Sequence, residues 1–202
     1  MSKPLRTPKQ QSLFESLAVN ESAKPSLKNE WRKLKRTTHG GANTKGKRKE
    51  YRPLSTKKWT HLILKSDKAR GAYNLLTPRN QIFIADLLKR KAKQFGIVIQ
   101  CQANVGNHLH LKVRFKTREG FQNFLRAITT QIARFVTGAR RGKPFGRFWE
   151  GLAYTRVVKT AKEELQLRGY IQANQIEAFS SKASRMKWLN QFNRWVQSLG
   201  PG

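Results

Sequence analysis

Two histidines placed two positions apart, His108 and His110, are the residues of this chain whose type and spacing could do chemistry. They lie within residues 107–115, where polar and apolar side chains alternate from His108 onward, a pattern that predicts a β-strand. Because successive side chains leave a strand on opposite faces, both imidazoles share one face with Lys112 and Arg114. Two imidazoles on one face can bind a single divalent metal, and neighbouring cations suit an anionic substrate. From the strand alone, a half-buried strand with surface histidines is the simpler interpretation.

A tyrosine on a predicted helix is the second candidate for chemistry. Thr160 followed by Glu163 forms a capping box, which marks the beginning of a helix. At ~100° per residue, Tyr170 and Asn174 lie one turn apart on a polar stripe of that helix. A phenol on such a stripe is most often a surface residue, but it can also serve as an oxygen nucleophile. Glu163 and Glu177 share the stripe and could bind a metal or activate a water, although a solvated helix face is the usual interpretation.

The charge of the chain points to a polyanion as its partner. There are 42 Lys and Arg residues against 11 Asp and Glu, a net charge of +31 over 202 residues. Residues 57–202 carry 28 of the basic and 7 of the acidic residues, so the charge is not confined to the N-terminal arm. Nucleic acid is therefore the expected partner. No apolar run approaches the length needed to span a bilayer, and we expect no membrane partner and a cytoplasmic, nucleoid-associated location.

The elements that must position these residues alternate between strand and helix. A helix is predicted from Thr77 to Gly96, with Pro78 in its first turn, and a second from Thr117 to Gly138. Strands are predicted at residues 59–65, 97–102 and 108–115, with a fourth inside 148–158. The middle two are separated by a short loop and should form a hairpin. The order predicts an α+β, ferredoxin-like split βαββαβ fold, an antiparallel sheet with helices on one face.

Three segments follow from this pattern. Residues 1–56 are rich in Lys, Arg, Ser, Thr and Pro, and predict a basic, largely flexible arm able to bind phosphates of other nucleic acids. Residues 57–180 form the predicted catalytic domain, which includes the tyrosine helix. Residues 181–202 predict a C-terminal amphipathic helix.

Several motifs in residues 57–179 resemble those of the HUH-type single-tyrosine transposases of bacterial insertion sequences, especially the REP-associated tyrosine transposases. The first is Gly-Asn-His-Leu-His at residues 106–110, which matches the histidine-hydrophobic-histidine signature. The second comprises Phe-Trp at 148–149, Tyr154 and Arg-Val-Val at 156–158. The third is Tyr-Ile-Gln-Ala-Asn at 170–174, which matches the nucleophile helix. Their shared order and spacing make the combined resemblance stronger than any single motif.

The resemblance implies specific roles and partners. His108 and His110 would hold a divalent metal, Mg²⁺ or Mn²⁺, with Asn174 completing its shell, and Tyr170 would be the nucleophile. The activity implied is that of a metal-dependent single-strand DNA endonuclease and strand transferase, which acts through a 5′-phosphotyrosine intermediate in DNA transposition and recombination. Single-stranded or hairpin DNA would be the substrate, and relatives that exchange the tyrosine helix make a homodimer an expectation. The predicted DNA-binding cations are Lys112, Arg114, Arg140, Arg141 and Lys143.

Alternatives remain for several residues. Tyr154 is a rival nucleophile, but it lies beside apolar residues in a predicted strand and is expected to be structural. His61 either faces the histidine pair or is packed, whereas His39 is expected to be exposed and without a role. Trp59 and Trp149 could stack on bases, although core packing is the expected role.

The main alternative function is a non-catalytic, basic nucleic-acid-binding protein, for example a ribosome- or RNP-associated component. Composition does not separate it from the enzyme. The combination of Tyr170 with His108 and His110 does, because a protein that only binds has no need of it.

Overall fold

A five-stranded antiparallel sheet organises the part of the chain that the structure describes. The structure is a computed structural model, and it describes residues 37–41 and 51–180 together with Met186, Asn190 and Arg194. Those last three residues are helical, and the rest of the predicted C-terminal helix lies outside the described residues. The strands, in the spatial order β1-β5-β2-β4-β3, are β1 (Thr38–His39), β2 (Thr60–Lys65), β3 (Ile97–Asn104), β4 (His108–Phe115) and β5 (Tyr154–Val157).

Three α-helices accompany the sheet in the described ranges: α1 (Pro78–Phe95), α2 (Arg118–Thr137) and α3 (Ala161–Phe179). Their ends follow local signals. Gly96 and Gly138 take left-handed conformations just after α1 and α2, where a side chain would be strained. The Thr160 hydroxyl accepts a hydrogen bond from the Glu163 amide and begins α3. None of these helices is both long and apolar enough to cross a membrane.

The main core lies between the sheet and the two helices α1 and α2. Leu62, Leu111 and Val113 face these helices and are fully or almost fully buried. Phe121 and Phe124 of α2 are also fully buried. Each such side chain contributes roughly 1.5–3 kcal/mol relative to an exposed position. The predicted α+β, split βαββαβ sheet with two helices on one face is confirmed.

Helix α3 covers the opposite face of the sheet. Leu167 and Ile171 pack against Ala103 and Val158 in a second, smaller cluster. A bulge between Ile99 and Cys101 makes this contact possible, because it reverses which face the following β3 residues occupy. Small side chains at positions 101 and 103 therefore lie under the helix.

The folded unit begins before Lys57, unlike the flexible arm that was predicted through residue 56. Strand β1 adds to the edge of the sheet by pairing Thr38 with Arg156 and His39 with Thr155. The Arg52 guanidinium donates hydrogen bonds to the Ala153 carbonyl (2.8 Å) and the Thr155 hydroxyl (2.7 Å). Edge pairing satisfies backbone groups of β5 that would otherwise face solvent. The rest of the predicted arm, residues 1–36 and 42–50, lies outside the described residues.

Candidate functional site

The face of the sheet beneath α3 gathers polar side chains from three adjacent strands. His61 on β2 is paired with Lys112 on β4 and with Arg156 on β5. One step along, Ile63 is paired with His110 and with Tyr154. Because cross-strand partners project to the same side of a sheet, these residues form one surface.

Three imidazoles meet on this surface. The His61 Nε2 and His110 Nδ1 atoms are 3.1 Å apart and hydrogen-bonded, with the two rings stacked. The rings of His108 and His110 are 4.6 Å apart between centroids and nearly perpendicular. The His108 Nδ1 atom lies 2.6 Å from the Asn107 amide oxygen, which can only accept, so Nδ1 donates. The spacing of two along β4 thus brings its histidines together as predicted.

Burial keeps two of these imidazoles neutral. The pKa of His61 falls from 6.5 to about 3, because the ring is buried and Arg156 lies nearby. The pKa of His108 falls to about 4, through burial and the positive charge of Lys65. Neutral imidazole is the form that binds metal ions.

Helix α3 brings the predicted nucleophile to the histidines. The Tyr170 ring lies 5.4 Å from the His110 ring and 6.2 Å from the His61 ring, edge-on to both. Asn174, one turn further, is buried, and its amide nitrogen donates to the Tyr170 carbonyl at 2.7 Å. The structure therefore brings Tyr170 beside His110, whose ring adjoins His108, and places Asn174 one turn further along α3.

The two β4 histidines have the chemistry of divalent-metal ligands. His108 donates from Nδ1 and leaves Nε2 as its coordinating atom; one of the two tautomers of the His61–His110 pair does the same for His110. Fixing the second nitrogen of a histidine in this way is typical of metal ligands. An amide oxygen of Asn174 would be the third donor. Within the described residues, no cluster of three or more His, Cys, Asp or Glu side chains has metal-binding geometry, so the donor set depends on that amide.

Lys112 is not placed as a DNA-binding cation, contrary to the prediction. Its side chain is only 1% exposed, and its Nζ atom pairs with the Glu164 carboxylate at 2.8 Å. The ammonium also lies 4.9 Å from the centre of the Trp59 ring. Alternation placed Lys112 on the histidine face correctly, but α3 buries that part of the face.

The other predicted DNA-binding cations are accessible. Arg114 is exposed at the end of β4, with its guanidinium over Trp59 at 4.9 Å. Arg140, Arg141 and Lys143 are exposed on a tight turn closed by backbone hydrogen bonds between residues 140 and 143. Their accessibility suits contacts with phosphates.

Both tryptophans pack, as expected. Trp59 lies half-buried against the second cluster beneath α3. Trp149 packs against the main core and donates its indole N–H to the Thr129 carbonyl at 2.8 Å. Neither is presented as an open stacking surface.

His61, Tyr154 and Arg156 contribute more to this site than the sequence predicts. All three lie on the histidine face, and the Tyr154 ring is 6.4 Å from the His61 ring. Burial raises the pKa of Tyr154. His39, expected to be exposed, is half-buried in β1. Alternation in β5 could have placed Tyr154 and Arg156 on one face, but only strand pairing shows that this face adjoins His61.

Comparison with known proteins supports the fold. No protein-family model and no curated protein matches the chain. The fold is similar to that of a REP-associated tyrosine transposase solved bound to a REP hairpin, with a TM-score of 0.51 and 16% identity over 64% of this chain and 74% of that one. A presumptive transposase of Deinococcus radiodurans R1 aligns with a TM-score of 0.40 and 20% identity, over 63% of this chain and 98% of that one, a likeness too weak to argue from. The shared fold agrees with the resemblance that the sequence motifs indicated.

Proposed function

We propose that this chain is a transposase-like, metal-dependent endonuclease and strand transferase for single-stranded or hairpin DNA, with Tyr170 as its nucleophile. One observation carries the proposal: the Tyr170 ring on α3 lies 5.4 Å from the His110 ring, beside His108. A tyrosine that only packs would not require His108 and His110 beside it, each with one ring nitrogen in a hydrogen bond. The similar structure bound to a REP hairpin and the net charge of +31 support DNA as the partner.

His108, His110 and Asn174 are the residues that would hold Mg²⁺ or Mn²⁺. Such an ion supplies polarisation of a non-bridging phosphate oxygen and orientation of the phosphate. The chain itself keeps His108 neutral by burial and fixes its Nδ1 on Asn107. His61 fixes the ring of His110 from the other side.

The covalent step exchanges one phosphate ester for another. The Tyr170 phenol gives its proton to water, and its oxygen forms a bond to phosphorus. The bond from phosphorus to the 3′ oxygen breaks, and that oxygen takes up a proton. The product is a 5′-phosphotyrosine with a free 3′ hydroxyl, and the reverse reaction on another 3′ hydroxyl joins strands without ATP.

Cations away from the histidines would hold the strand. Arg114 and the exposed turn carrying Arg140, Arg141 and Lys143 are the candidates on the described surface. Phosphate contacts of this kind make affinity depend steeply on salt.

The test is capture of a covalent adduct. The full chain is incubated with Mg²⁺ and a pool of random-sequence, single-stranded oligonucleotides labelled at the 3′ end, because a 5′-phosphotyrosine retains the 3′ fragment. Labelled protein is then sought on denaturing gels. Tyr170→Phe should lose the adduct and keep DNA binding, while Tyr154→Phe, the matched control on the same face, should keep both.

Two outcomes would contradict the proposal. An equal yield of adduct from Tyr170→Phe would exclude it as the nucleophile. Binding without any adduct from the unaltered chain would favour the non-catalytic alternative. For the metal, EDTA and His108→Ala should each abolish the adduct, and an adduct indifferent to EDTA would refute the metal role.

A further inference from the structure

A cavity of about 430 Å³ opens beside the edge of the sheet, away from the histidine face. Val157, one of its lining residues, is paired with Thr60 and so projects from the face of the sheet opposite to the histidines. It lies three residues along β5 from Tyr154, about 10 Å in an extended strand. The side chains that give the cavity its character are Tyr51, Arg52, Lys58, Arg118 and Lys159.

Among the described residues that line this cavity, four are cations and none is acidic. Arg52, Lys58 and Arg118 donate hydrogen bonds to neutral oxygen atoms. The Arg118 guanidinium donates twice to the Arg52 carbonyl (3.2 Å each), and Lys58 Nζ donates to the Lys159 carbonyl (2.7 Å). Arg52 is fixed on β5 by the Ala153 carbonyl and the Thr155 hydroxyl. Across residues 37–41 and 51–180, none of the four forms an ion pair with a carboxylate.

These four positive charges lie close together without a carboxylate partner among the described residues, which suggests that an anion binds there. Arg52 is half-buried, and burial lowers its pKa, which means that the folded chain destabilises this charge. Each guanidinium has five N–H donors and uses two of them in hydrogen bonds to described residues, which leaves three toward an anion. Forked guanidinium groups match both carboxylate and phosphate, and the net charge of +31 favours the phosphates of a polyanion.

An exposed aromatic ring stands at the rim. Tyr51 is 78% exposed, and the Arg118 guanidinium lies 4.3 Å from the centre of its ring. An exposed ring with a cation on one face offers the other face to a planar group. Aromatic rings beside a cationic groove are the usual platform for unpaired bases.

We propose that this cavity is a second nucleic-acid site, which takes one phosphodiester among Arg52, Lys58 and Arg118 and stacks the adjoining unpaired base on Tyr51. Its ligand is a segment of single-stranded nucleic acid. A free phosphate would use the cations but not the ring. None of the lining residues belongs to the proposed cleavage site, and the inference does not depend on cleavage.

The test separates the phosphate contact from the stacking contact. Fluorescein-labelled (dT)30 is titrated with full-length Tyr170→Phe chain between 50 and 300 mM NaCl, and binding is followed by anisotropy. Adding Lys58→Ala should reduce the slope of log K against log salt by about 0.7, the value for one lost contact on a single strand. Adding Tyr51→Ala should weaken binding about fivefold or more without changing the slope.

Matched controls accompany both variants. Lys89→Ala removes one exposed cation from α1 and should leave the slope unchanged. Tyr51→Phe keeps the ring and should bind like the parent. Tyr51 and Lys58 are exposed, and circular dichroism melts verify that each variant folds.

The proposal fails if Lys58→Ala behaves like Lys89→Ala and Tyr51→Ala binds like the parent. It also fails if double-stranded DNA of equal length loses as much affinity through Tyr51→Ala, since paired bases cannot stack there. Complete competition by millimolar inorganic phosphate, with no effect of Tyr51→Ala, would assign the cavity to free phosphate instead. The same titration with U30 shows whether DNA or RNA is the stronger ligand.

Discussion

The His61 Nε2 atom lies 3.1 Å from the Nδ1 atom of His110, within a buried pair of stacked rings. His61 comes from β2, and its partner comes from the middle of β4. The bond fixes the orientation of the His110 ring beneath Tyr170. His61 is not itself a proposed metal ligand. It is the hydrogen-bond partner of His110, and such partners usually orient the histidines that bind metals.

Removing His61 should weaken metal binding without removing a ligand. His61→Ala is expected to reduce Mn²⁺ affinity about 10- to 100-fold, the usual cost of losing the partner of a metal-binding histidine. Isothermal titration calorimetry of the full chain measures this directly. His61→Gln, which can still hydrogen-bond, should recover part of the affinity. An unchanged Mn²⁺ affinity in His61→Ala would show that His110 needs no such support.

Stability should fall in mild acid when metal is kept out by EDTA. The pKa of His61 is 6.5 when unfolded and about 3 in the fold, so below pH 6.5 the unfolded chain binds a proton that the folded chain does not. The free energy of unfolding should therefore decrease as pH falls from 6.5 toward 3. For this residue the slope approaches about 1.4 kcal/mol per pH unit.

Urea denaturation at pH 7.5, 6.5 and 5.5 measures that slope. His108, whose pKa is also lowered, adds a loss of the same sign. His61→Gln should show the shallower slope, because it has lost the His61 contribution. The same slope in the variant and the parent would mean that folding does not lower the pKa of His61.

Lys112 and Glu164 form an ion pair in which the lysine is much more deeply buried, so removal of the glutamate should lower the free energy of unfolding. Lys112 is 1% exposed, whereas the Glu164 side chain is 35% exposed. Glu164→Ala leaves a buried ammonium without its carboxylate and should cost about 1–3 kcal/mol, below the value for a fully buried pair. Adding Lys112→Met to that variant should recover most of the loss. Urea denaturation checks both, and a loss below about 0.5 kcal/mol for Glu164→Ala would show that Trp59 or solvent already stabilises the ammonium.

The packing of α3 should determine where Tyr170 lies. Ile171 is fully buried beneath the helix, and Ile171→Ala should cost about 2–5 kcal/mol. It should also reduce the adduct yield, because the phenol moves with its helix. Ile82→Ala removes the same atoms from a side chain that is 72% exposed, and should change stability by less than about 0.5 kcal/mol. Equal effects of the two substitutions would contradict the assigned packing of α3.

Local signals in the sequence predicted the elements well. Gly96 and Gly138 end α1 and α2 as predicted, and Thr160 begins α3 through its hydroxyl. These features depend on residues within one helical turn, so composition and spacing are enough to predict them. Strand β1 was missed because two residues carry no periodic pattern, and only pairing with β5 makes Thr38–His39 a strand.

The candidate site was predicted in part. Alternation placed His108 and His110 on one face, and helical periodicity placed Tyr170 and Asn174 together. Strand alternation and helical periodicity do not predict which helix covers which face of the sheet. The sequence therefore did not predict that α3 buries Lys112. The cross-strand approach of His61 to His110 was also left open, because it depends on strand order and register.

The sequence by itself determined which side chains share a face, where the helices begin and end, and that the chain carries a large positive charge. Those properties follow from backbone periods and capping, which are local, and from composition. Only the tertiary structure decided that α3 lies over the histidine face, that the bulge at residues 99–101 turns Cys101 and Ala103 toward it, and that Tyr170 stands beside His110. Those relationships depend on contacts between residues far apart in the chain, and burial of apolar surface selects them only when the whole fold is assembled.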